Sequence, residues 1–332
     1  MFLDMKKLVY LFLILMCFTS GNSYSWEKVL VPDSVDKKTK SPWNFSEEFE
    51  NEEEGRLRIK TNKFSINNKG EGLEPFRIKQ DPDGNKYLEV TVKDGWNTDY
   101  DYTDPKQKRK ETERAEFQTI QKRALDKEMW ISFKTRLPQD FTHIDDRVLF
   151  FQFKNQFEQM KRSPLLGIRF YKDGDVMKIG GETGGNATKS RSKEEKYIHI
   201  IGAKYKKKGG DWVVRWEKDR EDDKNRDTDD LRFAASNASV TPLGEWSTYK
   251  IGIYNTKNDD GFVKVYKDNQ LMFDYKGITY DWRGRYTGSY IRIGIYRQSG
   301  KNFGIEYPDQ TIHFDDFIVV SDEKTLDQIL AR

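Results

Sequence analysis

The sequence predicts an all-β protein built from two antiparallel sheets packed face to face, and three observations carry that prediction. From Tyr87 onward, short segments alternate apolar and polar residues with a period of two. Turn pairs such as Asp83-Gly84, Asp173-Gly174 and Asp260-Gly261 separate these segments. Helical periodicity is scarce, and about a dozen strands with one wet and one dry face need a partner sheet to bury the dry one.

Taken in order, residues 1–25 read as an export signal rather than as part of the fold. Lys6 and Lys7 precede an apolar run from Leu8 to Phe18, and Ser23-Tyr24-Ser25 supplies small residues at the cleavage-site spacing. The run is too short for a comfortable membrane span, and no later stretch reaches the roughly 18 to 20 apolar residues a spanning helix requires. Cys17, the only cysteine, lies inside the run, so the mature chain has no disulfide. Residues 26–332 are expected to form a single domain, exported to the periplasm or the medium and acting as a monomer. Net charge is only +3, which excludes the global basic field of a nucleic-acid binder; any attraction for polyanions must be local.

The predicted strands are Tyr87 to Lys93, Arg114 to Gln121, Glu128 to Arg136, Val148 to Lys154, Leu165 to Tyr171, Val176 to Gly180 and Tyr197 to Ala203. They continue with Thr248 to Tyr254, Gly261 to Lys267, Gln270 to Tyr275, Tyr290 to Tyr296 and Gln310 to Val320. Lys218 to Asp230 mixes charges of both signs and reads as a solvated loop, with a structural calcium site as the alternative, although the glycine-punctuated spacing of a calcium-binding loop is missing. The Lys204 to Lys208 run beside Gly209-Gly210 reads as a hairpin tip, with a polyanion contact as the alternative, and Leu326 to Arg332 as a short terminal helix.

Three strands expose polar residues in a pattern that suggests chemistry. In Tyr290 to Tyr296, strict alternation sends Ile291, Ile293 and Ile295 to the core and turns Arg292, Gly294 and Tyr296 outward. Gly294 then leaves backbone bare between two polar side chains, where an extended ligand can lie close. Arg114, Glu116 and Gln118 share one face of a second strand, opposite Ala115 and Phe117. Gln152 and Lys154 share one face of a third, opposite Phe151 and Phe153. Taken alone, an outward Arg-x-Glu is a cross-strand ion-pair device and an outward Gln-x-Lys is the wet side of a sheet.

Together, and in this order, they resemble the motif strands of jelly-roll polysaccharide lyases, a group that includes family 7 alginate lyases, glucuronan lyases and the heparin lyase I type. The family pattern is Arg-x-Glu, then Gln-x-His, then Tyr-x-Lys-x-Gly-x-Tyr, often followed by Gln. Here it is matched by Arg114-Ala-Glu116, Gln152-Phe-Lys154 and Tyr290-Ile-Arg292-Ile-Gly294-Ile-Tyr296-Arg-Gln298. Lys154 stands where the family has histidine, and Arg292 where it has lysine. The resemblance implies a concanavalin-like two-sheet β-jelly roll and cleavage of an anionic, uronate-containing polysaccharide by β-elimination, with no metal or organic cofactor required.

On that resemblance Tyr296 is general acid and a candidate base, and Arg114 and Gln152 neutralise the uronate carboxylate. Lys154 tunes the site or is itself the base. Arg292, Glu116, Gln298 and Gly294 contact the sugar. A free tyrosine holds its proton far above neutral pH, so service as base needs cationic neighbours. Trp96, Tyr100, Tyr102 and Trp282 are candidate sugar-stacking rings. His143, His199 and His313 lie outside the matched positions. A second copy of the pattern, Lys250-Ile-Gly-Ile-Tyr254, competes with Arg292 to Tyr296; Gln298 favours the latter. The alternative reading is a non-catalytic carbohydrate-binding module of the same fold. A glycoside hydrolase would need two carboxylates facing one groove, and no strand supplies that pattern.

Overall fold

The computed structural model describes residues 45–47, 49–50, 55–56, 64–66, 74–97, 112–119, 123–157, 164–171, 174, 176–185, 198–208, 211–216, 242–280 and 285–331. The export signal, the Lys218 to Asp230 loop, Tyr100, Tyr102 and Trp282 lie outside these residues. Residues 41–332 belong to one compact unit.

Two antiparallel sheets face each other, as the alternation predicts. In chain order the strands are β1 (Phe45–Glu47), β2 (Gly55–Arg56), β3 (Phe64–Ile66), β4 (Phe76–Gln80), β5 (Lys86–Val92), β6 (Thr112–Thr119), β7 (Lys127–Arg136), β8 (Val148–Phe157) and β9 (Leu166–Tyr171). They continue as β10 (Val176–Gly185), β11 (Ile198–Lys208), β12 (Asp211–Trp216), β13 (Trp246–Asn255), β14 (Phe262–Lys267), β15 (Gln270–Lys276), β16 (Tyr286–Gln298) and β17 (Gln310–Val320), followed by the helix α1 (Glu323–Leu330). One sheet runs β15-β14-β13-β7-β17-β5-β4-β2, with β1 also on β17; the other runs β12-β11-β10-β9-β8-β16-β6-β3. The three motif strands β8, β16 and β6 are therefore adjacent in the second sheet, in that order.

The core lies between the sheets and is filled by the predicted apolar positions. Ile291, Ile293 and Ile295 of β16, Ala115 and Phe117 of β6, and Phe151 and Phe153 of β8 are all buried. Phe133 of β7 ties the layers together, its ring stacked on Phe151 at 5.2 Å and on Tyr249 at 5.3 Å. Truncating such a buried ring costs roughly 3–5 kcal/mol. A polar latch joins the sheets as well: Asn155 of β8 and Asn255 of β13 exchange side-chain hydrogen bonds at 3.3 and 3.0 Å, and Ser289 donates to Asn155 at 2.7 Å.

Several elements depart from the sequence reading. β16 starts at Tyr286 rather than Tyr290, and β11 continues through the Lys204 to Lys208 run, which is strand paired with β12 and not the hairpin's tip. β4 and β12 lie in charge-rich stretches that hid their alternation. The terminal helix begins at Glu323, because Asp322 caps it by accepting the Thr325 backbone N–H at 2.8 Å. Among the described residues no helix is long and apolar enough to cross a membrane.

The second copy of the sugar-face pattern is accounted for by that helix. Lys250 pairs with Glu323 at 2.9 Å and Asp327 at 2.5 Å, both on α1, and lies over the Trp130 and Tyr266 rings. Gly252 is bare because the Trp130 indole packs on it; an added Cβ would lie 2.6 Å from that ring. The face that β16 presents has no such cover from α1.

Candidate active site

The register of the second sheet assembles the motif residues. β16 pairs with β6 so that Tyr296 faces Arg114, Gly294 faces Glu116 and Arg292 faces Gln118. On its other side β16 pairs with β8, setting Arg292 against Gln152, Tyr290 against Lys154 and Tyr296 against Leu149. Directly paired residues share a face of the sheet. Arg114, Glu116, Gln152, Lys154, Arg292 and Tyr296 are thus brought onto one surface, with Gln298 opposite Thr112 at its end.

Glu116 is the hub of this surface. Its Oε2 lies 3.0 Å from Arg114 Nε and 3.1 Å from Arg292 Nη1, and its Oε1 accepts a hydrogen bond from Gln152 Nε2. With only 3% of its side chain exposed, it holds two guanidiniums and an amide in place. That positioning task stands beside the sugar contact that the resemblance implies. Arg292 also donates from Nε to Gln118 Oε1 at 2.7 Å, and its guanidinium lies 5.3 Å from the Tyr290 ring centre.

Tyr296 is flanked by cations from both neighbouring strands. The Arg114 guanidinium carbon lies 4.0 Å from the ring centre, and that of Arg147, immediately before β8, lies 4.6 Å from it. Arg147 was missed in the sequence because it sits in Asp145-Asp146-Arg147, which reads as a solvated turn; its place one step before an apolar strand was the available signal.

A β-bulge between Ile293 and Tyr296 shapes the strand at this point. Gly294 sits in it with φ +139°, and a Cβ there would lie 2.2 Å from the Ala115 carbonyl oxygen. The bareness expected to serve a ligand is thus used by the β6 backbone, which comes too close for any side chain.

Behind the surface, facing the interior, Arg297 and Glu113 form a buried ion pair at 2.6 Å, one residue along from Tyr296 and Arg114. Arg297 also donates to Pro308 O at 2.7 Å and Gln310 Oε1 at 3.1 Å; Glu113 Oε1 accepts from Ser299 Oγ and Gly95 N, each at 3.0 Å. Burial pulls the Arg297 guanidinium below its ordinary value, and the Glu113 charge opposes that pull. The pair locks β6 to β16 in the register that places Arg114 beside Tyr296.

The other predicted candidates are elsewhere. His313 lies in the opposite sheet, accepting from Arg136 Nε at 3.1 Å and 3.5 Å from Glu89. His143 packs against Phe141 and Phe170. Trp96 reaches the site through its backbone, its carbonyl accepting the Arg114 N–H at 2.8 Å. Among the described residues, no group of three or more His, Cys, Asp or Glu could hold a metal.

A family model described as polysaccharide lyase matches residues 39–317. No curated protein sequence matches the chain. Among solved structures, the endo-β-1,4-glucuronan lyase of the fungus Trichoderma reesei aligns over 86% of this chain and 96% of its own, with 13% identity and a TM-score of 0.53. The alginate lyase Aly36B aligns over 83% and 96%, with 12% identity and a TM-score of 0.44. The alginate lyase vAL-1 from a Chlorella virus aligns over 74% of this chain and 89% of its own, with 13% identity and a TM-score of 0.40. With the family model spanning most of the sequence and the motif strands adjacent in a two-sheet jelly roll, the chain belongs to the polysaccharide lyase family and is an enzyme of that kind.

Proposed function

We propose that the enzyme cleaves an anionic, uronate-containing polysaccharide by β-elimination, and that it does so outside the cytoplasm as an exported monomer. The observation that carries this reading is Tyr296 flanked by Arg114 and Arg147 at 4.0 and 4.6 Å, beside the Gln152–Glu116–Arg292 cluster. β-Elimination removes the weakly acidic proton next to the uronate carboxylate, builds enolate-like charge, and expels the oxygen at the neighbouring carbon. Each step asks for something this surface contains.

Cations fixed in advance stabilise the charge that develops on the carboxylate, which is where most of the rate enhancement for such a step arises. Arg114 supplies such a charge and Gln152 an amide donor, and Glu116 holds both. Acting as acid alone, the Tyr296 hydroxyl gives its proton to the leaving oxygen while a separate base takes the first one; acting as both, Tyr296 starts as the phenolate, takes the first proton and passes it on to the leaving oxygen. Lys154, paired across the strands with Tyr290, is the alternative base. The reaction read in this way requires no metal and no organic cofactor.

The test uses the purified mature chain on glucuronan, alginate, heparin, heparan sulfate and pectin, following the ultraviolet absorbance of the conjugated unsaturated uronate. A rise on one polymer that disappears in Tyr296→Phe establishes the reaction and its substrate. Product formation by Tyr296→Phe at the wild-type rate would remove Tyr296 from the mechanism, and cleavage without unsaturated ends would remove β-elimination.

A further inference from the structure

Several cations of the first sheet's outer face have carboxylate partners. Lys134 pairs with Asp316, Arg136 with Asp81, Lys250 with Glu323 and Asp327. On the second sheet Arg114 and Arg292 share Glu116, and further cations lie beyond them, before β8 and along β9 and β10. The row of cross-strand neighbours that starts at Tyr296 passes to Leu149 of β8, then Arg169 of β9, Lys178 of β10 and, by register, Lys204 of β11. Arg169 lies between the inward Ile168 and Phe170, and Lys178 between the inward Met177 and Ile179, so both are on the Tyr296 face. Neighbouring strands are about 4.8 Å apart, so the row sets cations at a spacing close to one hexopyranose residue.

Neither Arg147 nor Arg169 is paired with a carboxylate among the described residues. Arg169 Nη2 donates to Gly180 O at 2.9 Å, but its Nε, like that of Arg147, is buried without a hydrogen-bond partner. A buried guanidinium donor left unmatched is costly, and a ligand oxyanion is the partner that would match it. Lys178 lies over the Tyr171 ring at 5.0 Å, adding a cation beside an aromatic surface.

We propose that Arg147, Arg169 and Lys178 form an anion-binding subsite next to the reacting centre, which takes a carboxylate or sulfate on a sugar residue beyond the one that is cleaved. The polymer then lies across the strands, from β6 and β16 over β8 to β9 and β10. This inference rests on reading the Tyr296 face as the lyase site and adds a requirement: charge must recur along the chain.

The test compares wild type, Arg169→Gln/Lys178→Gln, Lys178→Gln, Arg169→Lys and Tyr296→Phe. Retardation is measured in native gels containing glucuronan, which carries carboxylates alone, or heparin, which adds sulfates, alongside KM for unsaturated-product formation. The double variant is expected to bind about tenfold more weakly and to raise KM by about the same factor, with a flatter salt dependence. Arg169→Lys should restore most of the loss. Lys178→Gln, a change on the half-buried face, gives part of the loss and keeps the test in force if Arg169→Gln does not fold.

Weakening on both polymers assigns the subsite to carboxylate, and weakening on heparin alone assigns it to sulfate. Equal retardation of wild type and both Gln variants on both polymers overturns the proposal. A wild type that forms no unsaturated product, while the double variant still loses retardation, overturns the elimination reading and leaves the subsite standing.

Discussion

Removing either partner of the Arg297–Glu113 pair is expected to destabilise the protein strongly and by unequal amounts. Both side chains are buried, at 0% and 1% exposure, and deleting one partner of such a pair costs about 3–5 kcal/mol. Arg297→Met leaves Glu113 with two donors, Ser299 Oγ and Gly95 N, so the cost lies near the lower end, about 3 kcal/mol. Glu113→Leu leaves a buried guanidinium with only the uncharged Pro308 O and Gln310 Oε1, so it lies near the upper end, about 5 kcal/mol. The double variant removes both charges at once and should fall short of the summed costs by at least about 2 kcal/mol. Urea unfolding followed by tryptophan fluorescence gives the four free energies. Thermal melting should show Arg297→Met lower by roughly 6–12 °C. Additivity within about 0.5 kcal/mol would refute the coupling, and with it the claim that this pair locks the register beneath the site.

Three further outcomes are expected. Arg147→Gln should lower kcat/KM on the cleaved polymer by about a hundredfold with little change in melting temperature, and a drop in melting temperature without a kinetic loss would make Arg147 a structural residue. Gly294→Ala forces a Cβ to within 2.2 Å of the Ala115 carbonyl and a left-handed φ on alanine, so it should cost roughly 3 kcal/mol or more in urea unfolding and separate β16 from β6; wild-type stability would contradict the close approach. Burial, with Asp316 adding to it, pushes the Asp315 carboxyl from 3.8 up to about 7, against the Asn85 hydrogen bond that favours the charge. The folded state therefore holds that proton more tightly than the unfolded one. Its stabilising contribution is complete below about pH 4 and is lost as pH rises through 7, a span on the order of 4 kcal/mol. Asp315→Asn should flatten the fall in the urea midpoint between pH 4 and 8, since Asn85 can turn its amide over to match; an unchanged slope would assign the fall to other groups.

The two-sheet fold was legible because period-two alternation is the direct imprint of a sheet with one dry face, and Ile291, Ile293 and Ile295 sit where that rule sends them. Adjacency of the motif strands was legible only through the resemblance, since pairing over long sequence separations leaves no local signal. The bulge at Gly294 was not legible, as glycine in a strand marks a ligand approach and a backbone approach alike. Nor was the hub role of Glu116: alternation assigns a face, but burial on that face depends on what the neighbouring strands add. Arg147 was hidden by its acidic neighbours. Family membership decides between the enzyme and the binding module that sequence left open.

The helix over Lys250, together with the Trp130 indole over Gly252, sets the two faces apart. Two strands carry nearly the same outward letters, yet on one of them Lys250 is spent on two carboxylates of the C-terminal helix and the glycine is roofed by the Trp130 indole of β7. Among the described residues, a polymer therefore meets one such face without the helix and one with it. Shortening the chain by its last ten residues would release Lys250 from its two carboxylates, while the Trp130 indole would still close the glycine to a sugar chain.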